Sequence, residues 1–568
     1  MQDRILIRGV VCALLVLGLA TWSSAQLSGN YTIDPNGSGS TNYKTFGAAV
    51  SALGAGISGP VVFNVAAATY KETVSLTPVT GTSATNTITF VASGAQAVLD
   101  ANGGQDALTM ADLTDYFIFD NLKIMGFTRY GIWMNGQSSS NKGVNQCTFR
   151  NIVVEAPTST SSSVRCLYLT QSDSNQFISC IFRGGYYVVY NSQSDKNLYE
   201  SCEMDARDTG NYAGYFINNN DSDNIIQNCF IHSVRNSTGA VCLQMQASSF
   251  GNMIWNNTIV CNTSGAAMKT GSTSWSRSNS IKNNIIVNLG TGILNEYWFW
   301  NTGTPPKNQI TETVVDYNCY YCPQNTKYFT IRLFPYTTIQ PPVPFNGGNL
   351  NAFRTWVNTP ANNIIPPGGA TSYDTNSFEA DPALVSMIRP FDIHLKGASP
   401  CIDTGTAKFP ESYQSIPQNL TVSADFEGDA RPANLYDIGA DEVTVTLIGS
   451  GSGQPGTSIA FTLFAAPDAG RPYQMGSSLG NGPIPLGNRQ IGLSLDGLLV
   501  ASVSGALPTI FQGYAGVLDG QGQAKAQLNI PNIPALKGTR IYTAFLTLNP
   551  SSPFGISNIS NSFLFTVQ

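Results

Sequence analysis

The chain has 568 residues, with 29 Lys and Arg against 35 Asp and Glu, 2 His and a formal net charge of −6. Charged residues are 11% of it, against roughly 25% in an ordinary soluble domain; disordered chains are usually charge-rich, so extended disorder is excluded. The charge gives no basic balance for holding nucleic acid. No H-E-x-x-H, Walker loop or doubled C-x-x-C motif occurs, which removes zinc peptidase and nucleotide hydrolase readings. At about 100–200 residues per domain the length suggests two or three domains. The 54 Gly, 50 Asn and 10% aromatics point to a turn-rich β protein.

In chain order, residues 1–25 read as an export signal. Arg4 and Arg8 supply the positive end, residues 10–20 are unbroken apolar, and Ser23-Ser24-Ala25 are small, so Gln26 is the expected mature start. The run is too short to span a bilayer, and no later segment reaches 18 apolar residues. The expectation is a secreted or cell-surface protein with no transmembrane segment in its mature chain. Residues 41–53 (TNYKTFGAAVSAL) read as an amphipathic helix, followed by the strand 60–65 (PVVFNV).

A short phrase then recurs between about 115 and 315: FDNLKI (119–124), VNQCTF (144–149), FISCIF (177–182), YESCEM (199–204), IIQNCFI (225–231), IWNNTI (254–259) and IKNNII (281–286). Its fourth position is Leu122, Cys147, Cys180, Cys202, Cys229, Asn257 and Asn284, with steps of 25, 33, 22, 27, 28 and 27 residues. A second set of short runs, such as YGIWM (130–134), YYVVY (186–190) and VCLQM (241–245), falls between. Asn clusters break any helical period, so the repeat predicts a solenoid of strands whose coils share one core. Equivalent residues form ladders about 4.8 Å apart. Phe149, Phe182, Met204, Ile231, Ile259 and Ile286 form one inward ladder in this register, and the Cys/Asn position a second at a turn, where inward Asn satisfies backbone groups.

The far end carries SFEADPALVS (377–386), FDIHLKGASPCIDTG (391–405) and DFEGDARPANLYDIGADE (425–442). With the capping helix and the repeat, these segments resemble the pectin-lyase-like right-handed parallel β-helix family of secreted bacterial type, over about residues 29–442. Residues 443–568 have no Cys, Trp or Glu. Their alternating stretches 458–465, 491–505 and 540–548 predict strands of an antiparallel sandwich. They resemble a module that recurs at the C-termini of secreted bacterial proteins, and envelope attachment is the role expected of this domain if the chain is a surface scaffold. The expected organisation is a signal (1–25), a right-handed parallel β-helix (26–442) and a C-terminal β-sandwich (443–568). Within the helix, 26–110 hold the N-terminal cap and first coils, 302–368 an insertion and 369–442 the closing segments.

The resemblance covers lyases, galacturonan hydrolases, esterases and non-catalytic surface proteins, so the site has to choose. Three residues past the Cys/Asn position come Arg150, Arg183, Asp205, His232, Val260 and Val287, on the outward parity. Arg150, Arg183, Asp205 and His232 are therefore expected to stack on one outer face, with Glu203 beside Asp205 and Arg207 and Arg235 in adjoining turns. Such a face suits an acidic glycan. Arg183 or His232 as base supports elimination, carboxylates hold Ca²⁺, or Glu203 and Asp205 serve as acid and base in hydrolysis. Alternating charges on adjacent strands are also the signature of a plain solvated ladder.

His394 reads as structural. The acidic end, with Asp425, Glu427, Asp429, Asp437, Asp441 and Glu442, either binds Ca²⁺ or is a closing turn held by Arg431. Tyr297-Trp298-Phe299-Trp300 offers a sugar platform through Trp298 and Trp300, or a plug under the insertion. The mature cysteines read as buried thiols, with a local Cys319–Cys322 bridge left open. Fragments at 68–74, 105–108 and 115–119 echo pectin methylesterase, but Asp106 and Asp115 are 9 residues apart, too close to meet across a coil. The reading is a β-helix that binds or processes polysaccharide, as a lyase or glycoside hydrolase if an enzyme. The alternative is a non-catalytic cell-surface scaffold or adhesin.

Overall fold

The computed structural model describes residues 26–568 except 137–142, 160, 209, 218–222, 247–250, 271–278, 303–306, 310–313, 335–344, 346, 360–373, 397–398, 403, 408–420, 430, 432–435, 444, 466–467, 487–488 and 551. The expected signal, residues 1–25, lies outside the described residues. The chain is nearly all β, a parallel β-solenoid followed by antiparallel sheets. It divides into two compact units, Met1–Pro157 with Leu167–Gln176, and Thr158–Cys166 with Phe177–Gln568.

In the first unit the helix Phe46–Ala52 starts at Thr45, whose hydroxyl accepts from Ala48 N at 3.0 Å. The Glu72 carboxylate accepts from Phe46 N and Gly47 N, both at 2.8 Å, which satisfies the first-turn amides. Phe46 then lies 5.8 Å from Phe90. Phe63, Phe90, Phe119 and Phe149 continue as a stack with centroid spacings of 4.9, 5.4 and 5.0 Å.

This stack corrects one register. Phe149 and Arg150 lie on Thr148–Arg150, which pairs with Phe117–Asp120, the strand before the turn. The turn residue is Asn151, and Val153–Glu155 pairs with Leu122–Met125 after it. The partner of Leu122 in the repeat is therefore Ile152, not Cys147. The phrase at 144–149 copies the pattern one strand too early.

In the second unit the other registers hold. Phe182, Met204, Ile231, Ile259 and Ile286 are aligned residue by residue and fully buried. The turn between the first two strands of each coil has a residue at positive φ, Ser201 (50°), Asn228 (51°), Asn256 (52°) and Asn283 (55°). Asn tolerates that conformation better than most side chains. The inward residue follows it. Asn257 Nδ2 donates to Ile226 O (2.9 Å) and Asn284 Oδ1 (3.0 Å), and Asn284 Nδ2 to Ile254 O (2.8 Å) and Asn318 Oδ1 (3.0 Å). A second ladder, absent from the sequence reading, joins Asn197, Asn224, Asn252 and Asn279 through amide-to-Oδ1 bonds of 3.0, 3.2 and 3.0 Å. Cys180, Cys202 and Cys229 are buried thiols, and Cys319 and Cys322 are free, so they form no bridge.

The outward parity was expected to face solvent. Instead the closing segments fold over it. Leu384–Ser386 pairs antiparallel with Asp392–Leu395, and Leu384, Ile393, Leu395, Cys401, Ile438 and Ala440 share a core with Phe230, Val260 and Val287. The turn asparagines hold this cover. Asn256 Nδ2 donates to Asp437 O (3.0 Å) and Asn283 Nδ2 to Thr406 O (2.8 Å), while Asn228 Oδ1 accepts from Arg431 Nη2 (3.0 Å).

After Val445 the sheets are antiparallel. Leu447, Phe461, Leu463 and Leu528 of one sheet meet Tyr473, Met475 and Phe545 of the other in a single core, the expected sandwich. One expected strand is a helix. Asp496 Oδ1 accepts from Leu498 N and Leu499 N, both at 3.0 Å, and caps Gly497–Val503. The cap overrides the β-like alternation of 491–505.

Candidate functional site

The second unit holds a cavity of about 740 Å³ between the outer face of the coils and the closing segments. Its coil wall carries Arg183, Glu203, Asp205, Arg207, Phe230 and His232, and its other wall Arg389, Phe391, His394, Phe426 and Glu427. The coil wall is set by strand register: Arg183 aligns with Asp205, and Asp205 with His232. Glu203 and Asp205 are two apart on one strand, so both side chains point to the same face.

The charges form a continuous network. Arg183 Nη2 donates to Glu203 Oε2 at 2.6 Å, and Glu203 Oε1 lies 3.0 Å from His232 Nε2. His232 Nδ1 is 3.4 Å from Asp205 Oδ1. Arg389 closes the chain, with Nη1 3.0 Å from Asp205 Oδ2 and Nη2 on Oδ1. Arg389 comes from the closing segment, 184 residues from Asp205 in sequence. Burial pushes the Glu203 carboxyl up, but the bonds from His232 and Arg183 outweigh it and hold the group down at about 2. For Arg389, burial works against the charged form and Asp205 more than restores it, so its pKa is raised.

His232 is only 1% exposed. Its ring lies 4.2 Å from that of Phe230 in a stacked pair and 4.6 Å from that of Phe391. Both ring nitrogens face carboxylates, so in this arrangement His232 has no open side toward the cavity.

The opposite wall has a second cluster. His394 Nδ1 lies 2.6 Å from Asp392 Oδ1, and Nε2 lies 3.8 Å from Glu427 Oε1. The Asp392 bond leads in raising the His394 pKa to about 9. Burial leads in raising Glu427 to about 8 and Asp441 to about 6. Most of the acidic end is used up as a turn. Asp425 accepts from Glu427 N, Asp429 N and Glu442 N, Asp437 from Val443 N, and Glu442 from Arg431 Nη1 at 2.6 Å. Arg431 holds this turn, as the sequence suggests, and Glu427 and Asp441 are left beside His394.

No family model matches the chain, and no curated protein does. Solved structures similar to it include a pectin methylesterase from Aspergillus niger, at 14% identity over 63% of this chain and 91% of that one, with a TM-score of 0.25. The tailspike protein gp49 from Pseudomonas phage LKA1 is similar at 10% identity over 89% of this chain and 68% of that one, with a TM-score of 0.24. Escherichia coli YbhC is similar at 10% identity, over 54% and 76%, with a TM-score of 0.21. At these TM-scores the likeness carries no argument about chemistry, and the site is read from its own side chains.

Of the residues expected to act together, Arg183, Glu203, Asp205, His232 and Arg207 share the cavity wall. Arg207 N donates to Asp205 Oδ1 at 2.7 Å. Arg235 follows Ser233 in the next turn and is not on the wall. Arg150 does not join the column. It pairs with Asp120 at 3.0 Å in the first unit, because its strand precedes the turn rather than following it. Trp298 and Trp300 lie on the strand Ile293–Thr302, and their side chains are outside the described residues. Asp106 and Asp115 are used locally, Asp106 by Arg129 Nε at 2.8 Å and Asp115 by Asn145 N at 2.7 Å. Sequence reasoning missed Arg389 and Phe391 altogether and read His394 as structural. The one available signal was an Arg-Pro-Phe step inside a segment otherwise read only as closure.

Proposed function

We propose that the flank cavity binds a polysaccharide segment. The observation that carries this reading is the cavity itself, about 740 Å³ with the aromatic residues Phe230, Phe391 and Phe426 among fixed charged groups. Aromatic rings offer apolar contact to sugar C–H faces, and a few positioned polar groups fix orientation. Arg183, Arg207 and Arg389, with His394 held protonated beside Asp392, face Glu203, Asp205, Asp392 and Glu427 on the wall, so neither sign of charge dominates. Acidic glycans, the class that the arginines suggest in sequence, and neutral ones both belong in the test.

A second reading, a non-catalytic surface spacer, is favoured by the Arg183–Glu203–His232–Asp205–Arg389 network, which pairs its charged groups with one another and ties the closing segment to the coils. The deciding experiment is electrophoresis of the mature protein through gels carrying acidic or neutral polysaccharides, with new reducing ends assayed in parallel. Retardation by at least one polymer supports the glycan reading, and reducing ends extend it to depolymerisation. Free migration through every gel favours the spacer.

A further inference from the structure

The cavity borders two triads that bring a histidine and two carboxylates together, Glu203–Asp205–His232 and His394–Glu427–Asp441. They differ in charge balance. In the first, Arg183 sits on Glu203 and Arg389 on Asp205. Two guanidiniums already occupy the places a cation would take. In the second, no Lys or Arg pairs with Glu427 or Asp441 among the described residues.

Asp441 makes this imbalance physical. It is 5% exposed, and Oδ2 accepts from Leu395 N at 2.7 Å. Its other oxygen has no hydrogen-bond donor among the described residues. The positive group beside it is the His394 ring, which it shares with Asp392 and Glu427; buried charges are paired or coordinate metals, and one ring serves three carboxyl groups here. His394 supplies a ring nitrogen already oriented, which a metal ion would take up in exchange for its proton. Asp392 takes its Nδ1 side at 2.6 Å, the outer-shell arrangement typical of metal-binding histidines, which leaves Nε2 turned to Glu427.

We infer that His394, Glu427 and Asp441 form a binding site for one divalent transition-metal ion, with Zn²⁺ the best fit. A ring nitrogen and one oxygen from each acid lie within 4.8 Å of one another. Two tetrahedral ligands at about 2.0–2.1 Å from Zn²⁺ are roughly 3.3 Å apart, so a contraction of up to about 1.5 Å closes the shell. An imidazole with two carboxylates is a nitrogen–oxygen set suited to Zn²⁺, whereas Ca²⁺ takes six to eight oxygens. Three protein ligands leave a fourth position, and since His394 and Glu427 line the cavity while Asp441 lies behind them, that position faces the cavity. Water or a sugar hydroxyl would fill it.

The test is equilibrium dialysis of the full chain against micromolar ZnCl₂, with metal counted by mass spectrometry and a CaCl₂ arm alongside. The expected result is one equivalent of Zn²⁺. His394→Gln and Asp441→Asn should each weaken it tenfold or more, while thermal unfolding of the metal-free variants stays near that of the parent. Asp441→Asn keeps an oxygen for Leu395 N, so a folded variant is available even where His394→Gln fails. Cobalt(II) in place of zinc should give intense tetrahedral visible bands that both variants lose. No saturable Zn²⁺ binding, binding unchanged in the variants, or a preference for Ca²⁺ overturns the assignment. Polysaccharide retardation is read separately in chelator, so this proposal and the glycan reading fail independently.

Discussion

Two regions of the second unit bury polar groups in opposite ways. Along the turn ladder, Asn257, Asn284 and Asn318 bond to one another, the Asn257 and Asn284 amides each meeting Oδ1 of the asparagine on the next coil. On the flank, five different residues, Arg183, Glu203, His232, Asp205 and Arg389, pair in a chain that repeats nothing and leaves His232 Nδ1 3.4 Å from Asp205 without a hydrogen bond. The ladder is a local solution copied on the successive coils that carry Asn257, Asn284 and Asn318. The flank network is a single solution closed by a segment that arrives 184 residues later. A periodic need can be met by a periodic sequence, whereas a unique site needs a unique partner.

That contrast can be broken or sharpened by substitution. The largest effect is expected at Asn284, which accepts from Asn257 N (3.0 Å) and Asn257 Nδ2 and donates to Ile254 O, Lys282 O and Asn318 Oδ1. Asn284→Ala leaves several buried groups unpaired and should cost about 4 kcal/mol, measured by urea unfolding, with polysaccharide retardation of the folded fraction unchanged. Next is Arg389→Met, which strands the buried Asp205 carboxylate and should cost about 3 kcal/mol. Adding Asp205→Asn should recover much of that loss, and a double variant no better than the single would show that Arg389 acts by packing alone.

Glu203 follows. Its carboxyl is depressed to about 2 from an ordinary 4.5. The sign for a depressed carboxyl is that its stabilisation is fully present above the unfolded value and lost as pH falls through the folded one. Glu203→Gln should therefore destabilise the protein by on the order of 2–3 kcal/mol at pH 7, and the deficit should shrink between pH 4.5 and 2. A constant deficit across that range would contradict the ion-pair account. The smallest effect is expected at Arg150, whose side chain is 46% exposed beside Asp120. Arg150→Ala should change unfolding by roughly 0–1 kcal/mol and leave retardation unaltered.

The repeat, the capping helix, the strand parity and the second-unit registers were legible because each is enforced by neighbours in sequence or by the same position one coil away. Four of the five coil-wall charges expected to cluster do so as a network, with Arg207 beside them. Arg150 was misassigned because VNQCTF copies the turn phrase on the preceding strand. The burial of Asp205 and His232 was not legible. It depends on Arg389 and Phe391, and nothing in the period of the coils says where a non-repeating segment comes to rest. The helix Gly497–Val503 was missed for a related reason, since the Asp496 cap decides between two patterns that apolar spacing alone leaves open.

The most direct test of the central claim is affinity electrophoresis of the parent beside Phe391→Leu, in gels carrying the acidic and neutral polysaccharides. Phe391→Leu keeps the bulk over His232 and removes the ring from the cavity wall, so its unfolding should shift by less than about 1.5 kcal/mol. The predicted result is retardation of the parent by at least one polymer, with an apparent affinity about tenfold weaker in the variant. Retardation by none of the polymers, or equal retardation of both proteins, would contradict a glycan site in the cavity.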